Sequence, residues 1–429
     1  MMSTSQTILL RPRPLAKFSG AFLLLPLLPH PKPLRPLPAE LWSKIFAYAL
    51  ACEEAKWSWS LLRVCKGFKE VALPLIYSSI CLDQVSALQQ FHDLLHNADQ
   101  KWDSIRRIPY STPGRWVQVL DLSGIAFAGQ PQALLLDSVL ARLFTVLPFL
   151  STLYVNPSFV LSRRVLSSLA DRKGAANLRI LGGLSYVPPP SPTPDDDPFV
   201  QLLRCCPNLE ELEIVGQGLD PAELEFNFHG LQLPPMDYFQ PIRLPNLRIL
   251  SLVSMHASPF MLALLHSPLP SLQKLTVTPY DDVPYPASLV THLISTHGEN
   301  LRSLILFAPK SWPARNHPSP HNVMDYTPNL RHLSLENPLP DISLQENHAL
   351  QILSIPRPKA DFWRVLERAL RHLPNLAVLR ARDVRWLRKG MGSMAQEAGV
   401  QGEMKEWRRR LRRWGIRLLD ADWNESENE

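Results

Sequence analysis

The chain has 429 residues, of which 45% are hydrophobic and 20% are charged, and its formal net charge is +6. This length exceeds what one hydrophobic core usually supports, so the composition indicates a globular protein of two or more units. A small positive excess among many charges does not indicate a nucleic-acid-binding protein, and five cysteines without paired spacing argue against a disulfide framework or a zinc site.

Residues 1–33 are rich in proline, serine and threonine, and we expect them to form a disordered leader. They contain the apolar run AFLLLPLLP, which begins at Ala21. The run is far shorter than the roughly 20 residues that span a bilayer. Basic residues upstream make a targeting segment the alternative, but Pro26 interrupts the run and no small-residue cleavage site follows it.

Residues 34–80 carry the most informative pattern of the chain. A Leu-Pro pair opens the segment, and the string LLRVCKGF lies near its middle. The apolar spacing predicts three helices, over residues 39–51, 57–66 and 68–77. Gly67 is expected to break the second helix, and Pro74 is expected to kink or shorten the third. The first helix is expected to direct one apolar stripe inward, formed by Leu41, Ile45, Phe46, Ala49 and Leu50.

The opening Leu-Pro pair and the LLRVCKGF string together resemble an F-box of the fungal type. An F-box is the three-helix module that docks a substrate receptor on the Skp adaptor of a cullin–RING ubiquitin ligase. Carried over to this chain, the resemblance implies an adaptor-binding set of Leu37, Pro38, Leu41, Ile45, Val64, Phe68, Pro74 and Leu75. The alternative is that these residues only form the core of a three-helix cap. The insertion CEEAKWSW between the first two helices departs from the family pattern.

Between residues 81 and 423 one pattern recurs: Leu, two variable residues, Leu, one variable residue and an aliphatic residue. Its copies end at Leu122, Val155, Gly183, Ile214, Leu252, Val277, Leu306, Leu335, Ile355 and Ala381. This is the leucine-rich-repeat signature. The steps between second leucines are irregular, from 20 residues between Leu333 and Leu353 to 38 between Leu212 and Leu250, so loops must leave the stack.

Helical patterns precede many of these strands. The segment from Asp361 to Leu373 is one example, with Asp361 as its candidate N-cap. Since a single strand–helix unit cannot bury its own apolar face, the units must stack. The sequence therefore predicts an α/β protein: the N-terminal three-helix F-box, then an irregular leucine-rich-repeat solenoid. Its parallel β-sheet is expected on the concave face and its helices and loops on the convex face.

The C-terminal segment KEWRRRLRRWG predicts a capping helix over residues 402–414, ended by Gly415. Its apolar stripe consists of Met404, Trp407, Leu411 and Trp414. A final strand is expected over residues 416–419 and an acidic tail over residues 424–429. The alternative for the arginines is nuclear import or contact with nucleic acid.

Two segments fall outside the repeats and are expected to be exposed, mobile loops. One is proline-rich and acidic, from Val187 to Pro198, and we interpret its three aspartates as a solvated charge run. The other runs from Lys310 to His321. His317 and His321 are four residues apart, but two prolines between them exclude the helix that a metal site of this spacing needs.

The sequence contains no catalytic constellation, glycine-rich phosphate loop or nucleophile elbow, so we expect no enzyme activity, no metal and no cofactor. Side chains beside the second leucine of each strand alternate onto the concave face. Arginine recurs just after the first leucine, and such a column could bind an acidic or phosphorylated partner. The candidate target-binding residues are Arg248, Lys274, Arg302, Arg331, His332 and Arg380. Solvated edge residues are the alternative interpretation of these charges.

The resemblance implies a substrate-recognition subunit of a Skp–cullin–F-box E3 ubiquitin ligase. The expected partners are a Skp-type adaptor, through it a cullin, and a target protein, without membrane or nucleic acid. The expected location is the cytoplasm, the nucleus or both. Two alternatives stay open: a non-catalytic leucine-rich-repeat interaction scaffold unconnected with ubiquitination, and a nucleic-acid-associated protein that uses the C-terminal arginine-rich helix.

Overall fold

The computed structural model describes residues 37–51, 58–100, 113–191, 193–219, 239–309, 318–342, 344–386 and 399–425. The chain divides into two compact units, Met1–Leu75 and Ile76–Glu429. The predicted leader, most of the CEEAKWSW insertion and His317 lie outside the described residues. Within the described ranges, no helix has both the length and the hydropathy needed to cross a membrane.

Three helices occupy the region where the sequence predicts them: α1 (Ala39–Ala51), α2 (Ser58–Val64) and α3 (Lys66–Ser78). The expectation that Gly67 breaks the second helix is wrong, because Gly67 lies in the first turn of α3. Cys65 marks the boundary instead: its carbonyl accepts the Lys69 amide at 3.0 Å, and its Sγ accepts the Phe68 amide at 3.4 Å. The third helix is not shortened by Pro74 but continues to Ser78.

Three aromatic rings pack together inside the first unit. The ring centres of Trp42 and Phe68 are 4.7 Å apart, and those of Phe46 and Phe68 are 5.0 Å apart. Phe46 is buried, whereas Leu41 and Ile45 are exposed. The expectation of an inward stripe is therefore wrong for Leu41 and Ile45, because the aromatic residues set the buried side of α1.

The second unit contains one parallel sheet of twelve strands, whose order in the sheet is their order in the chain. The strands are β1 (Ser79–Cys81), β2 (Val119–Leu122), β3 (Thr152–Val155), β4 (Ile180–Ser185), β5 (Glu211–Val215), β6 (Ile249–Val253), β7 (Lys274–Val277), β8 (Ser303–Leu306), β9 (His332–Ser334), β10 (Ile352–Ile355), β11 (Val378–Ala381) and β12 (Arg417–Leu419). The predicted α/β class with a parallel sheet is confirmed. The strand β1 was not predicted, since its three residues carry no leucine pattern.

Helices connect many of the strands. They are α4 (Val85–Gln100), α5 (Gly129–Leu143), α6 (Arg163–Asp171), α7 (Pro198–Arg204), α8 (Pro259–Leu265), α9 (Val290–His297), α10 (Ala360–Ala369) and α11 (Gly399–Arg412). From α4 to α9, each helix contacts the next one in the chain. The predicted N-cap at Asp361 is wrong: α10 begins one residue earlier, and its N-cap position is Lys359.

The second leucines of the repeats form a continuous ladder across the sheet. Each is paired in register with the next, and none is more than 1% exposed. They are Leu120, Leu153, Leu181, Leu212, Leu250, Leu275, Leu304, Leu333, Leu353 and Leu379. Burial of one such side chain is worth about 1.5–3 kcal/mol, so this ladder makes a substantial contribution to the stability of the core.

Asparagines in the turns before the strands link successive repeats. Asn208 Nδ2 donates to the Ala176 carbonyl at 2.9 Å, and Asn329 Nδ2 donates to the Glu299 carbonyl at 2.9 Å. The usual repeat places an asparagine or cysteine after the strand instead, a position held by Met255 in one repeat. At these two positions the turn asparagine supplies a hydrogen-bond partner for a carbonyl group of the preceding repeat.

The expectation that the first proline-rich loop is solvated is wrong for Asp197. This residue is buried and is the N-cap of α7, accepting the Phe199 amide at 2.8 Å. Its other oxygen accepts the Tyr186 hydroxyl at 2.7 Å. Burial raises the pKa of Asp197 and raises that of Tyr186 as well. The adjacent Asp196 is exposed, as expected.

Helix α11 places Met404, Trp407 and Leu411 in the buried core. The ring of Trp407 lies 5.1 Å from that of Trp363, centre to centre. The expectation for the fourth residue of the stripe is wrong: Trp414 is 46% exposed, because α11 ends before it. Strand β12 follows at the predicted place.

Candidate functional site

Helix α1 presents an apolar side that the first unit does not cover. Five large apolar residues of this unit are exposed by 44–79%: Leu37, Leu41, Ile45, Tyr48 and Val64. The three that lie on α1 follow helical spacing, since Ile45 comes four residues after Leu41 and Tyr48 comes three residues after Ile45. We call these five residues the exposed apolar set. Sequence reasoning missed Tyr48, although its spacing from Leu41 and Ile45 was a usable signal.

The other predicted adaptor-binding residues are placed differently. Pro38 is exposed, and its carbonyl accepts the Leu41 amide at 3.0 Å, which starts α1. Phe68 is half-buried in the aromatic cluster, and Pro74 and Leu75 are half-buried on α3. Of the eight predicted residues, the exposed apolar set therefore contains Leu37, Leu41, Ile45 and Val64.

The sheet has one face packed into the core and one that we call the open face. Burial alternates along β2, β5, β7 and β8, and in β7 the side chains of Leu275 and Val277 are buried while those of Lys274 and Thr276 are partly exposed. Because side chains alternate across a strand, Lys274 and Thr276 lie on the open face. Their register partners on neighbouring strands share that face.

One part of the open face is acidic. A depression of about 330 Å³ is lined by Tyr154, Glu211 and Glu213, among others. Desolvation raises the pKa of Tyr154, and the charges of Glu211, Asp121 and Glu213 raise it further. Three carboxylates therefore act on one phenol ring. We call Asp121, Tyr154, Glu211 and Glu213 the acidic half.

Strand β4 shapes the acidic half. A Cβ atom at Gly182 would lie 2.5 Å from Cδ1 of Tyr154, so this ring lies directly against the glycine. The register between β4 and β5 shifts between Leu181 and Leu184, and Gly183 has a positive φ of 67°. A bulge of this kind re-aims neighbouring side chains.

The other part of the open face is basic. Arg248, Lys274 and Arg302 line one depression of about 380 Å³, together with Glu210 and other residues. The Gln273 amide donates to the Arg248 carbonyl, the Arg302 amide donates to the Gln273 carbonyl, and the Arg331 amide donates to the Arg302 carbonyl. The predicted arginine column is therefore one backbone-linked row. We call Arg248, Lys274 and Arg302, which line this depression, the basic half, and Arg331 continues the backbone row beyond it.

The last two predicted target-binding residues are held inside the protein's own network. His332 Nδ1 lies 3.2 Å from Ser303 Oγ, and Nε2 lies 3.0 Å from Ser354 Oγ. Burial lowers the pKa of His332 to about 4, and the charges of Arg380 and Lys274 contribute to this shift. Both ring nitrogens have hydrogen-bond partners within the protein, so His332 contributes to the structure of the site.

Arg380 contacts the turn that follows β12. Its Nη2 donates to the Ala421 carbonyl, and its guanidinium lies over the Trp423 ring. The ring of Trp423 is also 6.3 Å from that of His332, centre to centre. Sequence reasoning missed Trp423, because it follows the last strand and belongs to no repeat.

A buried ion pair lies beside this region. Arg382 Nη2 and Glu336 Oε2 are 2.7 Å apart, and both side chains are largely buried. Arg382 Nη1 also donates to Ser334 Oγ at 3.1 Å. Such a pair fixes orientation more than it adds stability. Within the described ranges, no group of three or more His, Cys, Asp or Glu residues is arranged to hold a metal ion.

Comparison with models of known protein families gives no match for this chain. A search of curated proteins finds no significantly similar sequence. Function is therefore inferred from the geometry of the exposed apolar set and the two charged halves.

Proposed function

We propose that this protein is a substrate-recognition subunit of a Skp–cullin–F-box E3 ubiquitin ligase, acting in the cytoplasm, the nucleus or both. In this proposal α1, α2 and α3 are an F-box and the repeats form a leucine-rich-repeat solenoid. The protein carries no active site, because ubiquitin transfer belongs to other subunits.

The observation that supports the proposal most directly is the exposed apolar set. Within the first unit Trp42, Phe46 and Phe68 pack on one another, whereas Leu41 and Ile45 stay exposed on the same helix. Exposed apolar side chains on one side of a helix are typical of a protein-binding site. Four of the five residues in the exposed apolar set, all except Tyr48, are ones that the F-box resemblance assigns to the Skp adaptor.

The second part of the proposal concerns the target. Among the residues that the structure describes, Glu211, Glu213, Lys274 and Arg302 on the open face form no ion pair within 4.0 Å, and such charges at fixed spacing are a suitable surface for recognising another protein. Ubiquitination of that protein would require the adaptor on the first unit and the target on the second unit at the same time.

The test replaces Leu37 and Ile45 together with aspartate. Both side chains are exposed, so the melting temperature should stay unchanged, while a charge in an apolar contact should abolish co-purification of the Skp adaptor. The matched control is Leu134→Asp, since Leu134 is an exposed leucine on α5. The control should bind the adaptor like wild type. Wild-type binding by the double variant, or no adaptor binding by the natural chain, would reject the proposal.

A second candidate function has one observation in its favour. The arginine-rich helix α11 exposes Arg409 and Arg412, and Arg413 directly after it is exposed as well, although Glu406 pairs with Arg409 at 3.0 Å. Such a surface could contact nucleic acid phosphates. A shift of duplex DNA that weakens steeply with salt would support it. An interaction scaffold without an adaptor is the remaining candidate, and the adaptor experiment separates it from the first.

A further inference from the structure

The open face has opposite charges in two neighbouring regions of the sheet. The acidic half draws its carboxylates from β2 and β5, with Glu211 and Glu213 on the strand nearest to the basic half. The basic half begins at Arg248, directly before β6, and extends through Lys274 on β7 to Arg302 before β8. The charge therefore changes sign between two adjacent strands.

Among the described residues, the charges of the two halves do not form ion pairs with each other. Among the residues that the structure describes, Glu211 and Glu213 have no ion pair within 4.0 Å, and neither do Lys274 and Arg302. The neighbouring Glu210 pairs with Arg179 at 3.4 Å instead. Unpaired charges of both signs are thus held on one face by backbone ladders.

The two depressions share part of their walls. Both are lined by Glu211, Ile249 and Lys274, so a ligand lying in one would meet the edge of the other. Two titratable groups show the opposite electrostatic character at the two ends. Burial raises the pKa of Tyr154 in the acidic half, and the nearby carboxylates raise it further. Burial lowers the pKa of His332 next to the basic half, and the nearby cations lower it further.

We propose that the open face binds an extended segment of a protein that carries basic residues at one end and carboxylate or phosphate groups at the other. This rests on the proposed function, in which the segment belongs to the ubiquitination target. The segment crosses the strands, with its cations on Glu211 and Glu213 and its anions on Lys274 and Arg302. Tyr154 adds an aromatic ring, which favours a nearby cation.

The spacing of the ligand's charges follows from the sheet. Glu211 on β5 and Arg302 before β8 are three strands apart, and adjacent strands lie about 4.8 Å apart. The charges are thus separated by about 14 Å, which an extended chain covers with about four residues. A purely acidic segment would place anions against Glu213, and like charges at an interface are strongly unfavourable.

The test measures the fluorescence anisotropy of labelled peptides with the purified full chain. One pair of peptides carries a lysine block and a glutamate block separated by about four neutral residues, in both orders. A third has the same composition with the charges alternating, a fourth has only the glutamates, and a fifth replaces glutamate in the better dipolar peptide with phosphoserine. We expect a dipolar peptide to bind about tenfold more tightly than the alternating and the acidic peptides.

Charge reversal distinguishes the two halves. Replacing Glu211 and Glu213 with lysine should weaken the dipolar peptide and strengthen the acidic one. Arg302→Glu should weaken both. The controls are Glu367→Lys and Arg364→Glu, two exposed charges on α10, which should change neither. A gain with phosphoserine over glutamate would identify phosphate as the anion, and equal binding would identify carboxylate.

The proposal is overturned if all the peptides bind equally or not at all, or if the acidic peptide binds as tightly as the dipolar one. It is also overturned if single-stranded DNA binds more tightly than any peptide. The peptides are assayed without the adaptor. If the chain binds the adaptor but shows no charge selectivity among the peptides, only this inference is rejected. If the chain binds the peptides selectively but never binds the adaptor, only the proposed function is rejected.

Discussion

The guanidinium carbon of Arg380 lies 4.3 Å from the centre of the Trp423 ring. The same guanidinium donates to the carbonyl of Ala421, two residues before Trp423. Asp420 holds the turn, since its Oδ1 accepts the amides of Asp422 at 2.9 Å and Asn424 at 2.8 Å. The segment after the last strand is therefore tied back to β11 on the open face.

Replacing Trp423 with leucine should lower the free energy of unfolding by about 0.5–2 kcal/mol, because the cation–π contact and its shielding of Arg380 are lost. Urea unfolding measures this change. Trp414→Leu is a matched control, since both tryptophans are 46% exposed. Ordinary surface substitutions change stability by less than about 0.5 kcal/mol. Equal effects of the two substitutions would show that the contact contributes nothing.

His332 should make stability dependent on pH in mildly acidic solution. An unfolded histidine titrates near 6.5, whereas in the folded protein the pKa of His332 is lowered to about 4. As the pH falls through this window, the unfolded state takes up a proton first. The stability contributed by the neutral ring is therefore complete above about pH 6.5 and is lost as the pH falls to about 4.

The size of this loss should be about 2 kcal/mol after allowance for solvent screening of a half-buried ring. Urea unfolding between pH 4 and 7 compares wild type with His332→Gln, whose stability should depend less on pH. His297 and His348 also have lowered pKa values, and their contributions persist in both proteins. His266→Gln, an exposed control, should leave the wild-type slope. An unchanged slope in His332→Gln would contradict the prediction.

Gly182→Ala should cost about 1–3 kcal/mol, because its methyl group would overlap the Tyr154 ring and overpacking is destabilising. The double variant with Tyr154→Ala should be less destabilised than the sum of the two single variants, since removal of the ring makes room for the methyl group. Gly67→Ala is the control: nothing lies within 4 Å of its Cβ position, so this substitution in α3 should be neutral or stabilising. Simple additivity in the cycle would argue against the overlap.

Trp407→Ala should destabilise the C-terminal end of the sheet by about 3–5 kcal/mol, the usual cost of removing a buried tryptophan. Because repeats contact mainly their neighbours, the damage should be local. Limited proteolysis followed by mass spectrometry should then detect cleavage between β11 and β12 before cleavage elsewhere. Trp414→Ala should leave the pattern of fragments unchanged. Simultaneous loss of all repeats would indicate a fully cooperative unit instead.

The repeat strands could be predicted because their leucines are buried by the same geometry in every copy. The spacing of Leu250 and Leu275 in the sequence is therefore repeated as direct pairing in the sheet. Asp197 was misread because its partner, Tyr186, lies 11 residues earlier, directly after β4, and the sequence shows only three aspartates in a row. A signal existed, since an aspartate directly before a proline is typical of a helix start.

The candidate site could be predicted only in part. The row of Arg248, Arg302 and Arg331 follows from the repeat pattern, because their position before the strand is the same in each copy. The place of Tyr154 depends on a glycine on the next strand, which a pattern within one strand does not reveal. Trp423 follows the last repeat, where no periodicity predicts the direction of the chain.

Because the leucine ladder fixes the positions of the strands, the positions of the charges do not depend on the lengths of the loops. Between Leu212 and Leu250 the chain uses 38 residues, and between Leu333 and Leu353 it uses 20, yet each connection advances the sheet by one strand. Insertions and deletions in the loops are thus free to accumulate while the distance between Glu211 and Arg302 stays constant. The spacing of the charges on the open face therefore does not depend on the lengths of the loops on the outer surface.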